Sequence, residues 1–264
     1  MQTTYTTNGT EVSYERHGDG RSLILLHGGM APREYWNPVV PHLEAYTIVI
    51  PQRPGFGTRL DEPATGADEI LTRETEYVRA LVDDVDGVPV LFGHSYGGLT
   101  AIEAATDAMV EAVVAYEPAV LPREFRMRVD LADRMEELIA DGKRREAVKR
   151  YVDLVLHSGE IDDLDAWLTD WPVWPDCVDL AEEVARMNRA VEQYRLPDRF
   201  DIDVPTLVLT GTHGPDFLRE GAREVHEALS HSRLVEFDAI GHSGPVEAPE
   251  LISAEVDIFV NSRC

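Results

Sequence analysis

Short apolar runs rich in leucine or β-branched residues punctuate the chain at 22–26, 47–51, 89–93, 111–116, 206–210 and 233–238. They are of strand length, bounded by turn residues and without polar alternation, as a sheet covered on both faces requires. Helical spacing fills most of the gaps. Ile70, Leu71, Tyr77, Val78, Leu81 and Val82 form one stripe, ended by Asp86-Gly87; a second helix follows Gly98 and a third spans Glu247 to Phe259. Ahead of these, Asn8-Gly9 between TYTT and TEVSYE signals a hairpin of two antiparallel strands. The alternation predicts an α/β fold, with a mostly parallel central sheet of about eight strands and helices on both faces.

Residues 121–199 depart from this rhythm. Leu131, Met135 and Leu138 recur at helical spacing, as do Val148, Tyr151, Val152 and Val155, and Leu164, Trp167, Leu168 and Trp171. No strand is predicted there. The expected organisation is a core domain of residues 1–120 and 200–264, with 121–199 inserted as an all-helical cap. The cap would stand over the strand ends where open α/β sheets bind ligands.

Charge changes the picture more than composition does. Asp and Glu total 49 against 24 Lys and Arg, a formal net charge of −25. Such a field repels nucleic acid and anionic lipid, so neither is an expected partner. Lys143 and Lys149 are the only lysines. Acidic excess with so little lysine resembles haloarchaeal proteins, whose carboxylate self-repulsion molar salt screens. Cys177 and Cys264 lack metal-ligand spacing, so no disulfide framework and no metal site is expected. The N-terminal MQTTYTTNGTEVSYERHG has no basic patch before an apolar stretch, and no run is long enough to span a bilayer. A cytoplasmic monomer or homodimer is expected.

The chemistry concentrates in loops after the apolar runs. Gly93-His94-Ser95-Tyr96-Gly97 is a G-x-S-x-G turn with a strand before it and a helix after. That context lifts a serine hydroxyl above the sheet, making Ser95 a nucleophile candidate. His27-Gly28-Gly29-Met30 follows an earlier strand; Gly29 N–H, with Met30 as the lesser choice, and Tyr96 N–H are candidate oxyanion donors. His242, in the small-residue loop AIGHSGP after the last strand, is the candidate base, in the chain order Ser before His. Met30, His94, Trp171 and Trp174 are candidate substrate contacts, with core packing the competing role for the tryptophans.

Together HGG, Arg53-Pro54-Gly55-Phe56-Gly57, GHSYGG and the late GH resemble the α/β-hydrolase superfamily, in its cap-bearing esterase-like branch. The resemblance implies Ser95 as nucleophile, His242 as base and Gly29 with Tyr96 as oxyanion hole. An aspartate usually stands where this chain has Gly214, so the orienting acid must lie elsewhere. Glu117, at the end of the strand after the nucleophile's, matches the place where some members carry it. Asp216, two residues past the usual place, is the fallback. The resemblance implies hydrolysis of a small carboxylic ester without metal or organic cofactor. Lactone hydrolysis, C–C bond hydrolysis and cofactor-free perhydrolysis are alternatives on the same residues, and a non-catalytic small-molecule receptor is the alternative outside enzymes.

Overall fold

The computed structural model describes residues 1–53, 67–126, 130–156, 161–171 and 173–262. Its strands are β1 (Gln2–Tyr5), β2 (Glu11–His17), β3 (Arg21–Leu26), β4 (Tyr46–Gln52), β5 (Val90–His94), β6 (Ala112–Tyr116), β7 (Thr206–Gly211) and β8 (Ser232–Phe237). They form one sheet in the order β1-β2-β4-β3-β5-β6-β7-β8. The Asn8-Gly9 hairpin pairs β1 with β2, and β2 meets β4 antiparallel; the pairs from β4 through β8 are parallel. Gly9 takes φ +86, which the turn needs and glycine adopts at no steric cost.

Burial explains the unalternating runs. Along β3, Ile24 and Leu26 pack into one apolar cluster and Leu23 and Leu25 into another on the opposite face. Val113 and Ala115 of β6 join the first cluster, while Val114 and Tyr116 join the second. Helices α1 (Ala67–Asp84), α2 (Tyr96–Ala104) and α9 (Asp216–Ala228) cover the first face; α11 (Pro249–Asn261), preceded by α10 (Gly244–Glu247), covers the second. Each buried Leu, Ile or Val contributes about 1.5–3 kcal/mol relative to an exposed one, so both faces are mostly apolar, with Ser22, Thr47, Thr206 and Thr210 among the few buried polar residues of the strands.

Between β6 and β7 the described segments are helical: α3 (Arg123–Arg126), α4 (Leu131–Ala140), α5 (Arg144–Tyr151), α6 (Leu164–Asp170), α7 (Trp174–Asp179) and α8 (Ala181–Gln193). The insertion packs its apolar faces on the first cluster, to which Leu131, Met135, Val148, Tyr151 and Met187 belong. Pro54–Gly57 of the RPGFG motif and Cys264 lie outside the described residues. Among the described residues no helix is long and apolar enough to cross a membrane.

Candidate active site

Ser95 stands between β5 and α2 at φ 54, ψ −120, a conformation that strains a residue with a Cβ by about 1–3 kcal/mol. Close backbone packing holds it there. A Cβ on Gly93 would run into the carbonyl of Gly97, and one on Gly97 into the carbonyls of Leu26 and His27. Ser95 N–H donates to Tyr116 O at 2.9 Å, tying the turn to the next strand. The HGG turn lies against it, since a Cβ on Gly28 would sit 3.2 Å from Ser95 Cβ. Tyr96 N–H belongs to the first turn of α2, where the helix supplies no internal acceptor.

His242 and Glu117 meet across 125 residues of sequence. His242 Nδ1 lies 2.6 Å from Glu117 Oε2. The other carboxylate oxygen, Oε1, accepts from Thr210 Oγ1 at 2.8 Å and from Gly211 N–H at 3.2 Å. Glu117 is fully buried, and a buried carboxylate is tolerated only when its oxygens are bonded in this way. With Nδ1–H directed at the carboxylate, the imidazole lone pair sits on Nε2. That atom is buried and has no hydrogen-bond partner among the described residues.

Asp216 is placed differently. It opens α9 with an exposed side chain paired to Arg219. Gly214, standing where the resemblance would put an aspartate, takes φ +98, and a Cβ there would lie 3.1 Å from His242 N. Both the backbone conformation and the space favour glycine, so the turn after β7 passes directly beneath the histidine loop without a side chain.

Further residues support the histidine loop and the serine turn; among them Tyr116 carried no sequence signal, and the contacts of His94 and Arg53 are not ones the sequence suggested. Tyr116 OH donates to Gly241 O at 2.6 Å. His94 Nε2–H donates to the carbonyl of His242 at 2.8 Å, which fixes its neutral tautomer. Burial, then the neighbouring His242, holds His94 well below the usual imidazole range. Its ring stacks on Tyr35 with centroids 4.9 Å apart. Arg53, from the RPGFG motif, is fully buried; it donates to His27 O at 2.6 Å and pairs with Glu74 at 3.1 Å. Its guanidinium also lies 5.5 Å from the Tyr96 ring centroid. Burial pushes the Glu74 carboxyl up to about 7, against the pull of Arg53.

A cavity of about 380 Å³ opens on Ser95 and Tyr96. Its walls include Leu121, Phe125, Leu131, Val155, Met187 and Phe217, so insertion helices and α9 enclose the space above the serine. The expected substrate contacts are corrected here. Met30, His94, Trp171 and Trp174 are not among its described lining residues. His94 lies beneath the histidine loop. Met30 is buried with its carbonyl facing Cys177. Trp171 packs on Trp167 at 5.2 Å, and Trp174 is buried under Arg145, so large rings went to packing within the insertion.

A model of the alpha/beta hydrolase family matches residues 23–255. The (E)-2-((N-methylformamido)methylene)succinate hydrolase of Acinetobacter baylyi is 24% identical over 278 residues, covering 97% of this chain and 96% of that protein. A pimeloyl-[acyl-carrier protein] methyl ester esterase of Legionella pneumophila (strain Lens) is 22% identical, covering 94% of this chain and 99% of the esterase. The crystal structure of an alpha/beta hydrolase from Sphaerobacter thermophilus DSM 20745 superposes with a TM-score of 0.82 at 26% identity, over 98% of this chain and 99% of that one.

Proposed function

The chain belongs to the alpha/beta hydrolase family, and from that premise we propose that it is a serine hydrolase cleaving a small carboxylic ester by acyl transfer to water. One observation carries the reading. A strained serine at a cavity floor shares its strand ends with a histidine whose Nδ1 is held by a buried, fully bonded carboxylate. A methyl ester esterase stands among relatives that include hydrolases of other substrates, so the relatives support hydrolysis and are compatible with an ester. Residues 121–199 serve as the cap that keeps the acyl group out of bulk water.

In this reading Ser95 Oγ attacks the ester carbonyl carbon as His242 Nε2 takes its proton. The carbonyl oxygen becomes an oxyanion, held by N–H groups of Gly29 and Tyr96 at a dry site where such donors count most. Collapse expels the alkoxide, which leaves as the alcohol with the proton from His242, and Ser95 stays acylated. Water, deprotonated by His242, then attacks the acyl carbon and releases the acid. Glu117 keeps the imidazole in the Nδ1–H tautomer and stabilises the imidazolium in both half-reactions. The chemistry calls on no metal or organic cofactor. An organophosphonate should label Ser95, and Ser95→Ala should abolish labelling and ester turnover. Full turnover in that variant would remove the proposal.

A further inference from the structure

The cavity has one polar wall whose hydrogen-bonding capacity is unspent. Helix α5 ends on Arg150 and Tyr151, and both side chains line the cavity together with Ser95. The other cations of α5 are engaged. Arg144 pairs with Glu182, Lys149 with Asp165 at 2.6 Å, and Arg145 lies over the Trp174 ring at 5.0 Å. Arg150 has no ion pair, hydrogen bond or ring contact with any described residue. Arg150 is exposed where it lines the cavity, so its guanidinium is free to meet a ligand that enters. The remaining charges on the wall do not answer it, because Asp130 and Arg134 neutralise each other at 2.7 Å.

Tyr151 gives the second, independent observation. It is 5% exposed, yet its hydroxyl makes no hydrogen bond to the described protein. That oxygen stands 3.3 Å from where a Cβ on Gly29 would be, so it faces the cavity beside the proposed oxyanion turn. The oxygen is open to the cavity, so its O–H is free to donate to a ligand atom placed there.

Resting on the proposed ester hydrolysis, we propose that Arg150 and Tyr151 form an anion subsite and that the preferred substrate is an ester that also carries a carboxylate. Arg150 supplies charge and a planar fork of donors suited to a carboxylate, and Tyr151 supplies a directional O–H. The apolar wall of Leu131, Val155 and Met187 takes the hydrocarbon between the two ends. Asp130, held by Arg134, leaves the positive charge of Arg150 uncancelled.

The test uses two activated esters of equal chain length at one fixed salt concentration. One is the p-nitrophenyl monoester of a straight-chain dicarboxylic acid; the other has its far carboxylate capped as a methyl ester. The full-length protein should prefer the acid-bearing ester in kcat/KM. Arg150→Gln should cut that preference by about 10- to 100-fold, as expected for a lost charge-assisted pair, while Arg150→Lys should keep part of it. Tyr151→Phe should raise KM for the acid-bearing ester several-fold more than for the capped one. A wild type that hydrolyses the capped ester without preferring the acid, or a preference unmoved by Arg150→Gln, overturns the subsite and leaves the serine-hydrolase reading standing. Turnover of neither ester overturns both.

Discussion

Replacing Glu117 by glutamine removes a charge while keeping nearly the same shape, and the surrounding donors decide how the amide settles. Gly211 N–H is a fixed donor 3.2 Å from Oε1. The new amide must therefore put its oxygen there and its NH₂ at the Oε2 position, facing His242 Nδ1. That arrangement makes Nδ1 the acceptor and moves the imidazole proton to Nε2, the atom that must accept the serine proton. Flipping the amide restores the tautomer but sets NH₂ against Gly211 N–H, leaving a buried donor unpaired at about 1–3 kcal/mol. The flipped form also lacks the negative charge that stabilises the imidazolium. Both effects together should lower kcat by about 10⁴, or about 5.5 kcal/mol of barrier. Thr210 Oγ1, a rotatable hydroxyl, can still bond the amide, so the melting temperature should shift by no more than a few degrees. The assay is kcat on an activated aryl ester, with thermal melts beside it and Asp216→Asn as the comparison. Asp216 is exposed and bound to Arg219, so its variant should keep wild-type kcat. A Glu117→Gln enzyme within tenfold of wild type, or an Asp216→Asn enzyme equally crippled, would refute the assignment.

Adding Gly214→Asp to Glu117→Gln should not restore activity, because φ +98 and the 3.1 Å approach to His242 N resist any Cβ; recovery of kcat would contradict that packing. Melting temperature should rise from dilute toward molar potassium chloride, since salt screens repulsion within a net charge of −25; a flat or falling trend would contradict a halophilic adaptation. Stability should depend on pH through His94, which burial holds well below its ordinary value of 6.5. The unfolded chain protonates this histidine below about pH 6.5 while the folded protein does not, so its contribution is present above that pH and lost as pH falls. Glu74, raised by burial to about 7, acts oppositely, favouring the folded state as pH drops from 7 toward 4.5. In His94→Gln, which keeps a donor for His242 O, the slope of unfolding free energy with pH just below 6.5 should therefore change by up to about 1.4 kcal/mol per pH unit. An unchanged slope would mean that His94 does protonate in the fold.

Local sequence determined the strands, the hairpin and the serine turn, because each rests on neighbouring residues. A strand buried on both faces is mostly apolar, as Leu23–Leu26 are, and the close backbone approach at Gly93 and Gly97 admits no side chain. The order of the motifs likewise lies in the chain itself. Sequence alone left open which carboxylate faces His242. Glu117 and Asp216 both follow strands, and only the placement of β6 between β5 and β7 brings Glu117, Thr210 and Gly211 to one point. The tryptophans show the same limit from the other side. Their size fits an apolar pocket or an apolar core equally well, and the packing of α6 and α7 decided for the core. Tyr116 and His94 carry no periodic or motif signal for their bonds to the histidine loop, since each reaches a backbone carbonyl more than a hundred residues away. Periodicity and turn chemistry act over a few residues, so they fix elements. Hydrogen bonds between strand ends and loops join residues that only the sheet order makes neighbours, and those the tertiary structure alone decides.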